Sequence, residues 1–133
     1  MGPSRLRWTI SMIRVVCFIL RSLKISCTNQ LQSDLYRFDG IITMEPTAGM
    51  ELSKVRERVG HDLVLIGNLD VSHLLVRGTR EEVEEAVKRA IRDAARGGGY
   101  VLSAAHSHPF IDPERLGWMV EAAHAHGRYP ISL

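Results

Sequence analysis

Residues 39–133 alternate between short apolar runs and longer stretches with helical spacing, and this alternation restricts the fold more than any other feature of the chain. The runs are bounded by glycine or polar residues and contain no polar alternation: Ile41–Met44, Leu63–Ile66 and Tyr100–Leu102. Such runs are typical of strands that are buried on both faces, as in parallel sheets. The order β-α-β-α-β-α predicts parallel strands joined by right-handed crossovers, in either a doubly wound sheet or a barrel.

The longest helical pattern covers Thr79–Ala95. Its apolar residues recur at intervals of three and four and predict one buried stripe: Val83, Ala86, Val87, Ala90, Ile91 and Ala94. Thr79 and Glu82 have the spacing of a capping box, which predicts the start of the helix. The glycines of Gly97–Gly99 predict its end, because glycine readily adopts the left-handed conformation that closes a helix.

Two further helices are predicted. A shorter one covers Leu52–Val59, with Leu52, Val55 and Val59 facing inward. The last helix follows Asp112, a good N-cap residue with proline next to it, and ends at Gly127. Its predicted buried stripe consists of Leu116, Met119, Val120 and Ala123.

Polar side chains follow each predicted strand. Glu45 follows the first run, and Asn68 and Asp70 follow the second. The residues that follow the third run are Ser103, His106 and His108. Because the carboxyl ends of parallel strands meet at one edge, where the chemistry of α/β folds is found, we expect these side chains on one face. His106 is the candidate general acid or base. His106 and His108 with a carboxylate would alternatively make a zinc or iron set.

The glycine run and the histidines of the last helix do not predict a site, and His73 is ambiguous. Gly97–Gly99 precedes the third strand, at its amino end, and no Lys-Ser or Lys-Thr follows, so helix capping is favoured over phosphate binding. His124 and His126 lie two apart on a helix and point apart, so we expect them to be exposed near the helix end. His73, near Asp70, either lines the site or packs beside Leu74.

Five ordered motifs in the last hundred residues resemble the C-terminal part of the uroporphyrinogen decarboxylase superfamily. They are GNLD (Gly67–Asp70), HLLVRGTREEV (His73–Val83), GGGYVLSAAHSH (Gly97–His108), DPERL (Asp112–Leu116) and HGRYPI (His126–Ile131). The resemblance implies an α/β fold, namely the C-terminal portion of a (β/α)₈ barrel, of which this chain would hold about three βα units. Residues 37–133 would form this partial barrel, and residues 1–36 match nothing in the family.

The resemblance implies one of two chemistries. The decarboxylases convert the acetate side chains of uroporphyrinogen III to methyl groups without cofactor or metal. His106 matches a family histidine that binds the tetrapyrrole or helps to protonate it, and the substrate-binding residues would be Glu45, Asn68, Asp70, Ser103 and His108. The corrinoid-linked methyltransferases place a zinc-binding cysteine where this chain has His106. This argues against their usual zinc set but leaves histidine ligands, His106 and His108, as the alternative.

The chain departs from the family in ways that predict a divergent or incomplete member. The arginine motif and the aspartate that engage the tetrapyrrole come from earlier strands, and neither is in this chain. Ser103–Pro109 carries His-Ser-His where the decarboxylases have Gly-His-Gly. A complete barrel needs roughly 200–250 residues, whereas this chain has 133. We therefore expect a gene fragment with no turnover alone, which associates with itself through its open sheet edges.

Residues 1–33 differ from the rest in charge. They contain five basic residues and no acid, whereas residues 34–133 contain 12 basic residues and 15 acids. The stretch Ile10–Leu20 begins like a secretory signal, but Arg14 interrupts it and no cleavage pattern follows. Ile13–Ile19 has the composition of a strand, and the charge density is too low for a nucleic-acid-binding arm. We expect a basic leader, a cytoplasmic protein with a small-molecule substrate of tetrapyrrole or methyl-corrinoid type, and neither a nucleic-acid nor a membrane partner. Cys17 and Cys27 are expected to be free thiols.

Overall fold

Parallel strands with helices between them form the part of the chain that the computed structural model describes, which is residues 15–17, 39–42 and 44–133. Four strands form one sheet in the order β1 (Val15–Cys17), β2 (Gly40–Ile42), β3 (Val64–Leu69) and β4 (Tyr100–Ala104). Helices α1 (Leu52–Val59), α2 (Arg80–Ala94) and α3 (Pro113–His126) follow β2, β3 and β4. A 3₁₀ helix (Pro46–Ala48) precedes α1, and a π-helical turn (Val71–Leu75) precedes α2. The predicted β-α-β-α-β-α order is confirmed, and the fold is a partial (β/α)₈ barrel.

The strands begin and end at residues other than those the apolar runs predict. β2 ends at Ile42, β3 continues from the apolar run through Asn68 to Leu69, and β4 continues through Ser103 to Ala104. Asn68 and Ser103 are paired across β3 and β4, so the backbone ladder extends past the last apolar residue. Backbone hydrogen bonds, which do not depend on side-chain polarity, therefore set these ends.

β1 supports the strand prediction for part of the basic leader. Its residues pair in parallel with β2, with Val16 opposite Ile41. The rest of the predicted leader, including Cys27, lies outside the described residues. Within the ranges that the structure describes, no helix has the length and apolar character needed to cross a bilayer.

The core lies between the sheet and α2. The predicted stripe is confirmed for Val83, Val87, Ala90, Ile91 and Ala94, which are buried, and Ala86 is partly buried against the same core. Leu65 and Leu69 of β3 are buried in this layer. The capping box is confirmed, because the Thr79 backbone N–H donates to Glu82 Oε2 at 2.8 Å and the Glu82 N–H donates to Thr79 Oγ1 at 3.3 Å. Because α2 packs on the sheet through this one buried face, the positions of the loops at its two ends are fixed relative to the strands.

The predicted stripe of α3 is wrong at Val120, which is 48% exposed. The fully buried residue of this helix is Ala122, and Leu116, Met119 and Ala123 are partly buried against the core. Residues two apart on a helix point in nearly opposite directions, so a helix that buries Ala122 must expose Val120. The small Ala122 lets α3 pack closely on α2.

Polar contacts also join α3 to α2. Glu121 pairs with Arg80 at 2.6 Å, and His126 Nε2 contacts Glu84 Oε1 at 2.9 Å. His126 is therefore not simply exposed, as the sequence analysis expected, because the helix packing brings it to a carboxylate on the neighbouring helix. Hydrogen bonds from Lys88 and then from His126 lower the pKa of Glu84.

A guanidinium joins four elements at the amino ends of the strands. Arg56 Nη1 donates to the carbonyl oxygens of Gly60 (2.8 Å) and Leu63 (3.1 Å), and Nη2 donates to those of Ala94 (2.9 Å) and Gly99 (2.7 Å). These carbonyls lie after α1, before β3, at the end of α2 and before β4. Burial lowers the pKa of the Arg56 guanidinium. The cation lies where two helices end, which is also the negative end of each helix dipole.

The opposite face of the sheet carries an apolar row. Ile42, Ile66 and Val101 are in register on β2, β3 and β4. The sequence predicted strands buried on both faces, but within the described residues Val64 is 36% and Val101 is 49% exposed. In a complete (β/α)₈ barrel this face lines the filled interior, which four strands cannot enclose.

Candidate active site at the carboxyl ends of the strands

The parallel sheet brings the polar segments after β2, β3 and β4 to one edge. Glu45 lies in the loop after β2, Asn68 is the second-last residue of β3, and His106 lies in the loop after β4. The neighbouring order of the strands places β3 between the other two. Side chains that are far apart in sequence are therefore close in space at this edge.

Glu45 and His106, from the loops after β2 and β4, are in contact at this edge. Glu45 Oε2 lies 3.3 Å from His106 Nε2, and the two side chains are 28% and 36% exposed. His106 Nδ1 lies 3.0 Å from the Ser107 carbonyl oxygen. Both the carbonyl and the carboxylate only accept hydrogen bonds, so each ring nitrogen donates to its partner only in the form of the ring that carries a hydrogen on that nitrogen. When both nitrogens are protonated, the pair is an ion pair that a ligand can still reach.

Thr47 holds the other carboxylate oxygen of Glu45. Its hydroxyl donates to Glu45 Oε1 at 3.0 Å, and its backbone N–H points to the same oxygen at 3.5 Å. Glu45 is thus the N-cap of the 3₁₀ helix, with one oxygen used locally and the other directed at His106. Thr47 was not among the predicted site residues. Its place two residues after an acid is the signal that would have found it, because the side chain of an N-cap residue accepts hydrogen bonds from the residue two or three positions further on.

Asn68 and Asp70 use polar atoms in local hydrogen bonds. Asn68 is 8% exposed, and its Nδ2 donates to the Met50 carbonyl oxygen at 2.7 Å. Asp70 Oδ1 accepts from the His73 N–H at 2.9 Å and caps the π-helical turn. The sequence predicts both residues to bind substrate, and the structure places both at the predicted edge with these backbone partners.

Ser103, His108 and Phe110 complete the edge on the β4 side. Ser103 Oγ donates to the Ala104 carbonyl oxygen at 3.1 Å, and His108 Nδ1 accepts from the Phe110 N–H at 3.2 Å. The rings of His106 and His108 have centroids 6.2 Å apart, and Phe110 lies 5.5 Å from His108. Phe110 is 73% exposed, so an aromatic ring borders the two imidazoles on the solvent side.

Tyr100 is a further polar group beneath this edge that the sequence analysis did not select. Its hydroxyl donates to the Gly67 carbonyl oxygen, directly before Asn68. Burial raises the pKa of Tyr100, so the hydroxyl stays a neutral donor. It fixes β4 to the end of β3 below the polar edge.

A cavity of about 580 Å³ lies beside the Glu45–His106 pair, between α1 and α2. Asn68 and Asp70 line it, together with Met50, the start of α1 and one side of α2. Glu45, Ser103, His106 and His108 are not among its lining residues. The structure thus divides the predicted site residues between this cavity and the strand edge next to it.

The described residues offer an incomplete set of metal ligands. Across residues 39–42 and 44–133, no group of three or more His, Cys, Asp or Glu side chains is placed to hold a metal ion. Zinc sites use three or four protein ligands. Glu45 and His106 would supply two, so a zinc ion here would need ligands from elsewhere in a complete barrel.

The family model for uroporphyrinogen decarboxylase (URO-D) matches residues 11–126, which is most of the chain. The chain belongs to the uroporphyrinogen decarboxylase family. It is 34% identical over 76 residues to the uroporphyrinogen decarboxylase of Shewanella pealeana, covering 56% of this chain and 21% of that protein. It is also 34% identical over 79 residues to that of Thioalkalivibrio sulfidiphilus, covering 59% and 22%. The chain thus spans about a fifth of the length of the curated relatives that it matches.

A methyltransferase from Methanosarcina mazei shares the fold of this URO-D family member. The TM-score is 0.58 at 23% sequence identity, and the match covers 68% of this chain and 26% of that one. The family-model match begins at residue 11, inside the segment 1–36 for which the sequence analysis found no resemblance. The predicted boundary at residues 36 and 37 stays a prediction.

Proposed function

We propose that this chain supplies the proton-donating part of a decarboxylase site of the uroporphyrinogen decarboxylase type, with His106 as the acid. The observation that carries the proposal is the 3.3 Å contact between Glu45 Oε2 and His106 Nε2 at the carboxyl ends of the strands. This is the edge at which barrels of this fold perform chemistry. Family membership supports the decarboxylase assignment.

The chemistry needs one proton for each carboxylate lost. The bond between the acetate methylene carbon and its carboxylate breaks, CO₂ leaves, and the electron pair stays on the substrate. A proton from an acid then completes the methyl group. An imidazole is suited to this because it gains and loses a proton near neutral pH. Glu45 Oε2 contacts the Nε2 side of the ring at 3.3 Å and orients it, and the proposed step needs no cofactor or metal.

Substrate binding in this proposal depends on the rest of a barrel. Acetate and propionate side chains are recognised by cationic partners, for which arginine is the most effective. The side chains at the described strand ends are instead carboxylates, an amide, a hydroxyl and imidazoles: Glu45, Asp70, Asn68, Ser103, His106 and His108. We therefore expect the 133-residue chain to yield no coproporphyrinogen from uroporphyrinogen III when assayed alone.

A chimera tests His106. The part of the Shewanella pealeana decarboxylase that corresponds to residues 39–126 of this chain, within the family-model match, is replaced by those residues, and coproporphyrinogen formation is measured by chromatography. We expect turnover from the chimera and at least a roughly 100-fold loss in its His106→Ala variant, as is typical of a general acid. His124→Ala, on the exposed side of α3, is the matched control. A His106→Ala chimera within threefold of its parent would remove His106 from the reaction, and a folded but inactive chimera would remove decarboxylation itself.

The second candidate is a zinc-dependent methyltransferase relative that acts on a methyl-corrinoid. The adjacency of Glu45 and His106, with His108 in the same loop, favours it, because carboxylate and imidazole are zinc ligands. In that case His106 and His108 would help to hold the metal. Metal analysis of the purified chain and chimera discriminates the two, since stoichiometric zinc that is lost in His106→Ala supports the methyltransferase.

We also propose that the chain associates with itself in the cytoplasm. Among the described strands β4 pairs with β3 alone, and Val101 on β4 is 49% exposed. Exposed edges of parallel strands favour pairing with other chains. Light scattering after size-exclusion chromatography should detect dimers or larger species, and Val101→Lys should shift them toward monomer. A wild-type chain that is monomeric at all concentrations contradicts this.

A further inference from the structure

The position of Glu45 depends on contacts made by neighbouring residues. Four backbone bonds close the loop after β2. The N–H groups of Ala48 (3.1 Å) and Met50 (3.4 Å) donate to the Glu45 carbonyl oxygen, that of Gly49 donates to the Pro46 carbonyl oxygen at 2.9 Å, and that of Glu51 donates to the Gly49 carbonyl oxygen at 3.1 Å. All four bonds are internal to the loop. These bonds set the shape of the loop, but they do not fix its position relative to β4, the strand that precedes His106.

Asn68 fixes this loop to the sheet. Its Nδ2 reaches out of β3 to the Met50 carbonyl oxygen at 2.7 Å, and the side chain is 8% exposed. Asn68 is paired with Ser103 on β4, three residues before His106. A single buried amide thus connects the loop that carries Glu45 to the strand pair that leads to His106.

Thr47 fixes the carboxylate within the loop. Its hydroxyl bond to Glu45 Oε1 at 3.0 Å leaves Oε2 as the oxygen directed at His106 Nε2. A carboxylate without this contact rotates about its terminal torsion, which is broad. The hydroxyl therefore selects one orientation of Glu45.

We propose that Asn68 and Thr47 are positioning residues that hold the Glu45 carboxylate against His106 Nε2, Asn68 through the loop backbone and Thr47 through the carboxylate itself. This deepens the proposed function and rests on it only for the catalytic use of His106. It also assigns Asn68 a role through Met50 and Glu45 rather than a contact with substrate.

The test measures how accessible His106 Nε2 is to a reagent. Diethyl pyrocarbonate modifies a free imidazole nitrogen, and peptide mass spectrometry gives the rate at each histidine of the full chain. The exposed His124 in the same sample is the reference. The variants are Glu45→Gln, Thr47→Val, Asn68→Leu and the double variant Glu45→Gln/Thr47→Val, with Ser72→Ala, at an exposed position just after β3, as the matched control.

We expect the His106 rate relative to His124 to rise about fivefold in Glu45→Gln and Thr47→Val, the effect of one lost hydrogen bond. Asn68→Leu should raise the rate by at least as much and should accelerate amide exchange at Ala48 and Gly49. The double variant should match Glu45→Gln alone, because Thr47 acts through Glu45. Ser72→Ala should match wild type.

The inference is overturned if Glu45→Gln leaves the His106 rate unchanged, or if Thr47→Val does so while Glu45→Gln raises it. Full multiplication of the two effects in the double variant also overturns it. A folded Asn68→Leu variant with an unchanged His106 rate overturns the role of Asn68. Because Thr47 is exposed, Thr47→Val tests the role of Thr47 even where Asn68→Leu does not fold. These readouts need no turnover, so an inactive chimera with the expected His106 rates refutes the proposed function and leaves the positioning roles standing.

Discussion

Arg56 is the side chain whose loss should most weaken the fold at the amino ends of the strands. In Arg56→Met the apolar stem is kept and the hydrogen bonds to the carbonyls of Gly60, Leu63, Ala94 and Gly99 are lost. Hydrogen bonds from a charged group contribute about 1.5–3 kcal/mol each when both partners are buried. The four bonds here are not equivalent, so the expected loss is smaller than four times that value.

The surroundings of each carbonyl set the magnitude. Gly60 and Gly99 are exposed, so water replaces the guanidinium there, and the Gly99 oxygen also keeps its bond from the Leu65 N–H at 2.9 Å. The bonds to Leu63 and Ala94 are partly buried and are not easily replaced. Two such bonds give about 3 kcal/mol. Removing Arg56 Nε, which is buried without a partner among the described residues, returns about 1 kcal/mol, so the net loss is about 2 kcal/mol.

Urea unfolding followed by circular dichroism, at one fixed chain concentration, measures this loss. Arg92→Met is the matched control, because Arg92 is an exposed arginine on α2, and such substitutions change stability by roughly 0.5 kcal/mol or less. Arg56→Lys should fall between the two, since an ammonium cannot reach all of these carbonyls in the planar geometry of a guanidinium. A free energy of unfolding for Arg56→Met equal to that of Arg92→Met would refute the reasoning.

Three further predictions concern α2 and its contacts. Thr79→Ala removes the capping box with Glu82 and should lower the free energy of unfolding by about 1 kcal/mol, with Thr79→Ser restoring it in the same urea assay. Tyr129→Phe removes the 2.7 Å bond to the Ala95 carbonyl oxygen and should cost about 1 kcal/mol by thermal unfolding; an unchanged midpoint contradicts this. The pKa of Glu84 is lowered by folding, so its contribution is complete above its ordinary value of 4.5 and is lost as pH falls through the folded value. The unfolding midpoint should decline in acid below that pH, and Glu84→Gln should flatten the decline; equal slopes in the two proteins argue against it.

The order of elements could be predicted from the sequence because it depends on local features, namely the spacing of apolar residues and the capping residues at helix ends. Thr79, Glu82 and Asp112 act at the helix starts where their side chains predict, since capping involves only residues within one turn. Val120 was placed wrongly because the face that α3 buries depends on how closely Ala122 approaches α2, which no local pattern records.

The candidate site was predictable in its location and not in its contacts. Parallel topology alone places Glu45 and His106 at one edge. Which polar atoms face each other is decided by the turn after β2, where Thr47 occupies one oxygen of Glu45, and by the reach of Asn68 to a backbone oxygen. Such pairings are made or lost by shifts of a few tenths of an ångström in the relative positions of the loops, and the residue types do not specify these positions.

The hydrogen bonds of Arg56 lie at the amino ends of the strands, and the Glu45–His106 pair lies at their carboxyl ends; these two edges of the sheet are called the amino rim and the carboxyl rim. Substitutions that change the loops at the carboxyl rim therefore leave the hydrogen bonds at the amino rim intact. Likewise, substitutions that make the amino rim more rigid need not disturb the reactive groups. For evolution, this means that a new substrate can be acquired by changing loops without first acquiring a more stable scaffold. For engineering, it means that stabilising substitutions belong around Arg56 and selection libraries belong in the loops after β2 and β4.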